Sequence, residues 1–475
     1  MCAYKPLKKP IQWRLRPNER RLILLFGDFV AALLAMFIAL YFWASGDSWL
    51  DFSMEFLAER PAFWFYLLPL VWLVLMTELY DIRRASRIDD TIRGIAIAVG
   101  ISLGIYFLVF FLAPPQQLPR RGFAIFIAAV AVLTLFWRFF YIKIFTAPVF
   151  SRRTVIVGAG RAGSTLAAIL RQTWPPPFFL LGLIDDDPYK IGTEIEGSPV
   201  LGGCDHLNEV IKDQNISDII VAISGEISPD LFEALSMAEE QGIEVTTMPV
   251  VYEEQLGRVP IFLLESDWML RSFFDQAHAS GFYEMAKRLL DIIGGLLGTV
   301  AFIVMLPLIS MATFLDSGGP IFYSQTRLGK RGRPYHIVKF RTMVQDAEKE
   351  GKAILATRND QRVTRIGKIL RKSHLDEFPQ FVNVLRGEMS LVGPRAERPE
   401  LVNDLQKEIP FYRGRLLVKP GVTGWAQINY GYASTTEQNG IKLEYDLYYI
   451  KKRSFVLDLI ILIRTVGTVV GFRGQ

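Results

Sequence analysis

Between Leu22 and Ile144 the chain carries four apolar stretches, Leu22 to Trp43, Pro61 to Tyr80, Gly94 to Leu112 and Gly122 to Ile144, separated by short polar loops. At 1.5 Å of rise per residue each is about long enough to cross a hydrocarbon core of roughly 30 Å. Four such spans in succession are hard to bury in a soluble protein, and the first is too long and lacks the small-residue site of a cleaved signal peptide. Composition agrees: 51% of the 475 residues are hydrophobic and 21% charged.

Loop charges orient the spans. The N-terminus holds Lys5, Lys8, Lys9, Arg14, Arg16, Arg20 and Arg21, and the first loop holds Asp47, Asp51, Glu55 and Glu59 against Arg60. Cytoplasmic loops collect Lys and Arg, so the N-terminus is expected in the cytoplasm. Arg83, Arg84, Arg87 and Arg93 in the second loop, and Arg152 and Arg153 after the fourth span, agree with four crossings; Arg120 and Arg121 run against them. A fifth apolar stretch, Leu289 to Phe314, has basic residues on both sides: Lys287 and Arg288 before it, Arg327, Lys330, Arg331 and Arg333 after it. With Pro307 in its middle removing a backbone donor, it is expected to break, dip into the membrane and return, as a re-entrant helix over about 284–315, in preference to the alternative of a fifth full span. The last apolar run, Val456 to Val470, is short and interrupted by Asp458 and Arg464, which suits a helix lying in the interface.

A net charge of +5 does not argue for nucleic acid, and is compatible with anionic lipid or phosphate substrates. The two cysteines, Cys2 and Cys204, can build neither a disulfide framework nor a thiolate metal site, so any metal is expected on oxygen ligands.

From Thr154 the pattern becomes α/β. The strand Thr154 to Val157 runs into Gly158, Gly160 and Gly163 in G-x-G-x-x-G spacing, then into a helical Ser164 to Arg171. Such a turn lets amides approach a phosphate, and Asp185, ending the strand Phe179 to Ile184, is placed to meet a ribose hydroxyl. The same glycines would serve tight strand-to-helix packing. Strands Asp218 to Ala222 and Glu244 to Met248, with helix Pro229 to Glu240, complete only half of a dinucleotide fold, so the unit reads as regulatory.

The chemistry gathers after residue 281. Basic residues Arg327 to Arg341 and Arg362 to Lys372 lead to Asp376 and Glu377. A basic lining facing two carboxylates suits phosphoryl transfer. Pro379 is tolerated in a first helical turn, which predicts a helix starting near Asp376 with both acids at its positive end. Adjacent acids there can divide the work, one attacking phosphorus and the other holding Mg²⁺.

Five motifs in order, Lys287-Arg288-Leu289-Leu290-Asp291, Lys339-Phe340-Arg341-Thr342-Met343, Leu370 to Gln380, Met389 to Arg395 and Lys419 to Gln427, make residues 281–475 resemble the bacterial sugar transferase family, the polyprenyl-phosphate hexose-1-phosphate transferases. One departure is Leu306, where the family commonly has Ser before the proline. The resemblance implies that Asp376 attacks the sugar-linked phosphorus of a UDP-sugar, that UMP leaves, and that undecaprenyl phosphate captures the phosphosugar-aspartyl intermediate. It implies Glu377 as the residue that holds Mg²⁺ beside Asp376 or aligns the dyad, Arg371 as a phosphate ligand, and Arg341 and Arg395 as candidates for the same task. Trp425 and Gln427 could meet a base or sugar; His374 reads as a packing or hydrogen-bonding residue.

The expected architecture is an α-helical membrane domain (1–148), a Rossmann-like α/β domain (149–255), a linker (256–280) and a mixed α/β catalytic domain with a re-entrant membrane helix (281–475). A multi-pass protein of a bacterial inner membrane is expected, its catalytic domain cytoplasmic, working as a homodimer; the resemblance implies that it starts exopolysaccharide, capsule or O-antigen units, with UDP-glucose or UDP-galactose as the favoured donor and N-acetylated sugars also open. Two rivals are a membrane-bound NAD-dependent oxidoreductase, which would bind NAD(H) and survive loss of Asp376, and a non-enzymatic scaffold, which would release no UMP.

Overall fold

The computed structural model describes residues 17–46, 51–80, 82–112, 120–145, 152–173, 176, 178–264, 280–345, 361–431, 433 and 435–470. Lys5, Lys8, Lys9, Arg14, Arg16, Asp47 and the linker aromatics Trp268, Phe273 and Phe274 lie outside the described residues. Two compact units, Met1–Thr246 and Thr247–Gln475, divide the chain.

In the first unit, three of the expected spans are single helices: α1 (Pro17–Ala44), α2 (Ile88–Leu112) and α3 (Arg120–Phe145). The second expected span differs, being a 3₁₀ turn Phe63–Leu67, a helix Leu68–Leu75 and a 3₁₀ turn Thr77–Tyr80. Pro69, in the first turn of Leu68–Leu75, can donate no amide bond, so the α-helix begins there instead of continuing from Pro61. Its apolar part, Phe63–Leu75, is about 20 Å long if helical throughout, short of a full crossing. Among the described residues, four helices are long and apolar enough to cross a membrane, the fourth being Gly281–Ser317.

Ala32, Ala35 and Ala39 are buried on α1, and small side chains let helix backbones approach closely where lipid offers no hydrophobic drive. Arg138 and Asp28, both fully buried, pair across α1 and α3 at 2.6 Å, while Arg138 Nη1 donates to the Leu79 carbonyl at 2.7 Å. An intramembrane charge is tolerable only when paired in this way.

The α/β part carries β1 (Arg152–Val157), α4 (Arg161–Gln172), β2 (Phe178–Ile184), β3 (Glu194–Ile195), β4 (Ser198–Gly202), β5 (Asp218–Val221), α5 (Pro229–Glu240) and β6 (Glu244–Thr247). The sheet order is β3-β4-β2-β1-β5-β6, with β1 parallel to both β2 and β5. Val155, Ile156, Val157, Ile219 and Ile220 are buried, the continuous apolar runs that a doubly covered parallel strand requires. The β3–β4 hairpin was not expected from the sequence.

The second unit begins earlier than the expected linker. Helix α6 (Met248–Leu256) and the segment to Ile261 pack into its core, where Val259 and Ile261 are buried with Leu443, Leu447 and Ile450. Lys451 pairs with Glu253 at 2.6 Å, and the Val259 amide donates to the Glu444 carbonyl at 3.1 Å.

Helix α7 (Gly281–Ser317) runs without a gap for 37 residues with Pro307 inside it, so the helix-break-helix expected at Pro307 is not seen as an interruption. A helix can continue through proline at the loss of one backbone bond, with the kink left to its surroundings. The hairpin β7 (Phe322–Leu328) and β8 (Pro334–Phe340) follows, then α8 (Arg365–Lys372), α9 (Gln380–Arg386) and β9 (Ser390–Val392). Strand β10 (Gly421–Thr423) pairs parallel with β9, and α10 (Thr436–Lys452) and α11 (Phe455–Val470) close the unit. The polar residues of α11 turn inward: Asp458 is fully buried and accepts from Tyr449 at 2.7 Å and Lys287 at 2.9 Å.

Candidate active site

Contacts from α7 set the positions of α9 and β9. Gly294 and Gly298 face Leu391 and the Phe381 ring so closely that a Cβ at either would collide with them. Arg288 donates to the carbonyls of Val384 and Leu385 at 2.9 and 2.8 Å, meeting the orphan acceptors at the C-terminal end of α9. Asp291 accepts from Ser390 Oγ and the Leu391 amide at 2.9 and 2.8 Å, fixing β9. The first motif is thus a clamp from the membrane helix onto the C-terminal end of α9 and onto β9, while the dyad sits at the other end of α9, in the turn that precedes it.

That turn is the 3₁₀ segment Leu375–Glu377, entered through His374 in the left-handed region at φ 56°. Both acids of the dyad lie in it, just ahead of α9, close to where the sequence put them. Each is 8% exposed. Their surroundings differ. Glu377 Oε1 takes both Lys339 Nζ at 2.6 Å and Arg395 Nη2 at 2.7 Å. Among the described residues no hydrogen bond or ion pair reaches the Asp376 carboxylate. Burial, and then the Glu377 charge, push Asp376 up to about 6, against the pull of Lys339, Arg395 and Arg371. Burial also pushes Glu377 up, but Arg395 and Lys339 outweigh it and hold that carboxyl well below the usual range. The dyad is therefore split into a permanently ionised, anchored acid and an unanchored one whose proton leaves near pH 6. Burial lowers the His374 pKa, so that imidazole is neutral at pH 7.

The other candidates fall into two groups. Arg395 is on the dyad, and Arg371, one of the charges acting on Asp376, is steadied by Nε donating to Thr342 Oγ1 at 2.9 Å. Arg341 instead closes the end of α7, its Nη2 donating to Ser317 O and Oγ at 2.9 Å each and to Gly318 O. Trp425 donates to the Gly257 carbonyl at 2.7 Å and stacks on Tyr448, while Gln427 donates to the Val422 carbonyl at 3.2 Å. Both are engaged in the packing of the second unit. Lys339 belongs to the basic stretch ahead of the dyad, where sequence reasoning alone gives it no role of its own. Strand alternation held the signal: Lys339 shares a face of β8 with the buried Tyr335 and Ile337, and a lysine on a buried face needs a partner, while Phe340 packs on the opposite face.

In the α/β unit, Asp185 Oδ2 accepts from the Ala159 amide at 2.7 Å, Oδ1 accepts from the Asp187 amide at 3.0 Å, and Lys190 lies 3.2 Å from both oxygens. Gly160 caps α4, Gly158 has φ 103°, and a Cβ on Gly163 would strike the Gly158 carbonyl, so close packing alone accounts for two of the three glycines.

Among the described residues no three His, Cys, Asp or Glu side chains converge as a metal group. The dyad still suits a hard cation. Both ion pairs fall on Glu377 Oε1, which leaves Oε2 and the Asp376 oxygens as donors, and Mg²⁺ commonly takes one or two carboxylates with substrate phosphates completing its shell.

A family model described as bacterial sugar transferase matches residues 282–472, and one described as CoA-binding domain matches residues 75–249. A protein of Aeromonas hydrophila named UDP-N-acetylgalactosamine-undecaprenyl-phosphate N-acetylgalactosaminephosphotransferase is 39% identical over 222 residues, 47% of this chain and 52% of that protein. Two proteins named UDP-glucose:undecaprenyl-phosphate glucose-1-phosphate transferase are similar: that of Klebsiella pneumoniae is 34% identical over 329 residues (66% of this chain, 67% of it), and that of Xanthomonas campestris pv. campestris 32% over 296 residues (60% of each). The chain thus spans about half the length of the Aeromonas relative and 60% of the Xanthomonas one.

Proposed function

The chain belongs to the bacterial sugar transferase family, and from that premise we propose that it transfers a sugar 1-phosphate from a UDP-sugar to undecaprenyl phosphate, with UMP as the leaving group. The observation that carries the mechanism is the split dyad. An Asp376 oxygen attacks the phosphorus bonded to the sugar, the bond from that phosphorus to the UMP oxygen breaks, and the electron pair leaves with UMP. An oxygen of undecaprenyl phosphate then attacks the same phosphorus, and Asp376 departs as a carboxylate. Neither step needs a general base, because nucleophile and acceptor are both already ionised.

Lys339, Arg395 and Arg371 offset the charge spread over the phosphoryl oxygens. Glu377 keeps two of these cations in place and, through Oε2 and beside Asp376, would hold Mg²⁺, which when bound draws charge off the pyrophosphate.

The contacts of α7 support the membrane placement. Near its start Lys287 and Arg288 bind Asp458 and α9, and at its end Asp316 accepts from the Ile366 amide at 2.9 Å while Arg341 binds Ser317. Leu296, Leu297, Val300, Val304, Leu308 and Met311, between those ends, are exposed. Two ends tied to one polar unit and an apolar middle support a re-entrant helix, with the catalytic unit on the cytoplasmic face of the inner membrane that the basic loops select. Glucose and galactose are the proposed sugars; the Aeromonas relative's name puts N-acetylgalactosamine on the panel to be tried.

The test is UMP release by purified protein in nanodiscs with Mg²⁺, undecaprenyl phosphate and a panel of UDP-sugars. Release with one donor, abolished in Asp376→Asn, is expected. Release that survives the substitution, or folded protein that releases UMP from no donor, would overturn the reading.

A further inference from the structure

Arg395 has to deliver its guanidinium to Glu377 from a side chain that is itself 41% exposed. A long, open side chain is placed only as well as the main chain beneath it, and that main chain is held from behind by a buried cluster. The Arg415 side chain, 3% exposed, donates through Nη2 to the Arg395 carbonyl at 3.3 Å and to Asp446 at 2.7 Å. Through Nη1 it donates to Tyr412 Oη at 2.8 Å and Glu397 at 3.3 Å. Glu397 also takes Lys442 at 2.9 Å, and Arg327 donates to the Ala396 carbonyl at 3.1 Å. The Leu328 amide donates to the Glu397 carbonyl at 3.0 Å and the Gly421 amide to the Pro394 carbonyl at 2.9 Å, so all four residues from Pro394 to Glu397 are tied down.

Buried ion networks are poor devices for stability, because apolar side chains of the same volume often do as well or better. What they fix is geometry. We propose that Arg415, held by Asp446, Tyr412 and Glu397, is a positioning residue that sets the loop Pro394 to Glu397 so that Arg395 reaches Glu377 and the phosphoryl group beside it. This rests on the reaction proposed above. Arg415 touches neither the dyad nor substrate and acts only through Arg395.

Asp446→Asn keeps the shape of the cluster and removes one charge from it; Tyr412→Phe removes a single hydrogen bond and is the milder change should the first fail to fold. With thermal midpoint as the folding control, kcat for UMP release is expected to fall about tenfold in Asp446→Asn, and less in Tyr412→Phe, with the KM for the UDP-sugar little changed, since an offset of a catalytic cation is felt most in the transition state. In an Arg395→Ala background the same changes should cost under about twofold, because the group they position is gone. Full additivity there, or folded variants with wild-type kcat, would overturn the role. Asp376→Asn run alongside separates the failures: release that survives it removes the reaction and this inference together, whereas its loss beside fully active Asp446→Asn and Tyr412→Phe removes only the inference.

Discussion

Asp185 in the α/β unit and Asp376 in the second unit both end up in a loop at the mouth of a helix, within motifs that a sequence reader would mark as phosphate sites. Asp185 is satisfied by its own protein: two amides and an ammonium take its oxygens, and one of those amides, Ala159, belongs to the glycine-rich turn that would otherwise be free for a phosphate. Among the described residues none bonds the Asp376 carboxylate, while its neighbour Glu377 takes two cations. A carboxylate that the fold has already answered is a structural part. One kept buried and unanswered stores reactivity, at a cost that only a ligand repays.

The contrast can be attacked from the side where the effect is largest. Lys339→Met removes one of the two cations on Glu377 Oε1 and a charge beside Asp376; UMP release should fall about a hundredfold with the thermal midpoint little moved, and a fall below about threefold would mean that Lys339 only balances charge. A pH profile comes next. Because Asp376 is raised to about 6, the attacking carboxylate is lost as pH falls, and kcat/KM should drop tenfold per unit below that value; a flat profile down to pH 5 would sever the link between this acid and the reaction.

Asp185 gives the smallest effect. Burial raises it, but the Ala159 and Asp187 amides and Lys190 outweigh that and hold it below the ordinary value. Its stabilisation is therefore present above its unfolded pKa of about 3.9 and lost only as pH falls through the lower folded value. Asp185→Asn should leave UMP release within about twofold while lowering the unfolding transition of the α/β unit by about 1–2 kcal/mol at pH 7, read by denaturant titration. A large loss of transfer would show that the unit takes part after all.

Much of this was legible in the chain. The three long N-terminal helices, the strands Thr154 to Val157, Phe179 to Ile184 and Asp218 to Ala222, and the turn bearing the dyad follow from local periodicity and punctuation, which a sequence displays directly. What stayed hidden is what depends on partners far along the chain. Lys339 meets Glu377 across 38 positions, Arg341 caps a helix 24 residues back, and Trp425 binds a carbonyl 168 residues earlier. The β3–β4 hairpin was missed because Glu194–Ile195 is too short to show alternation.

The burial of Val259 and Ile261 also bears on how such proteins can be recombined. The family match begins at 282, so a chimera or shortened protein cut at that border would strip two apolar side chains from the core and leave Lys451 buried without Glu253. The catalytic unit moves as a module only if about 35 residues ahead of that border, nearly all of them outside both family matches, travel with it, a border drawn by packing.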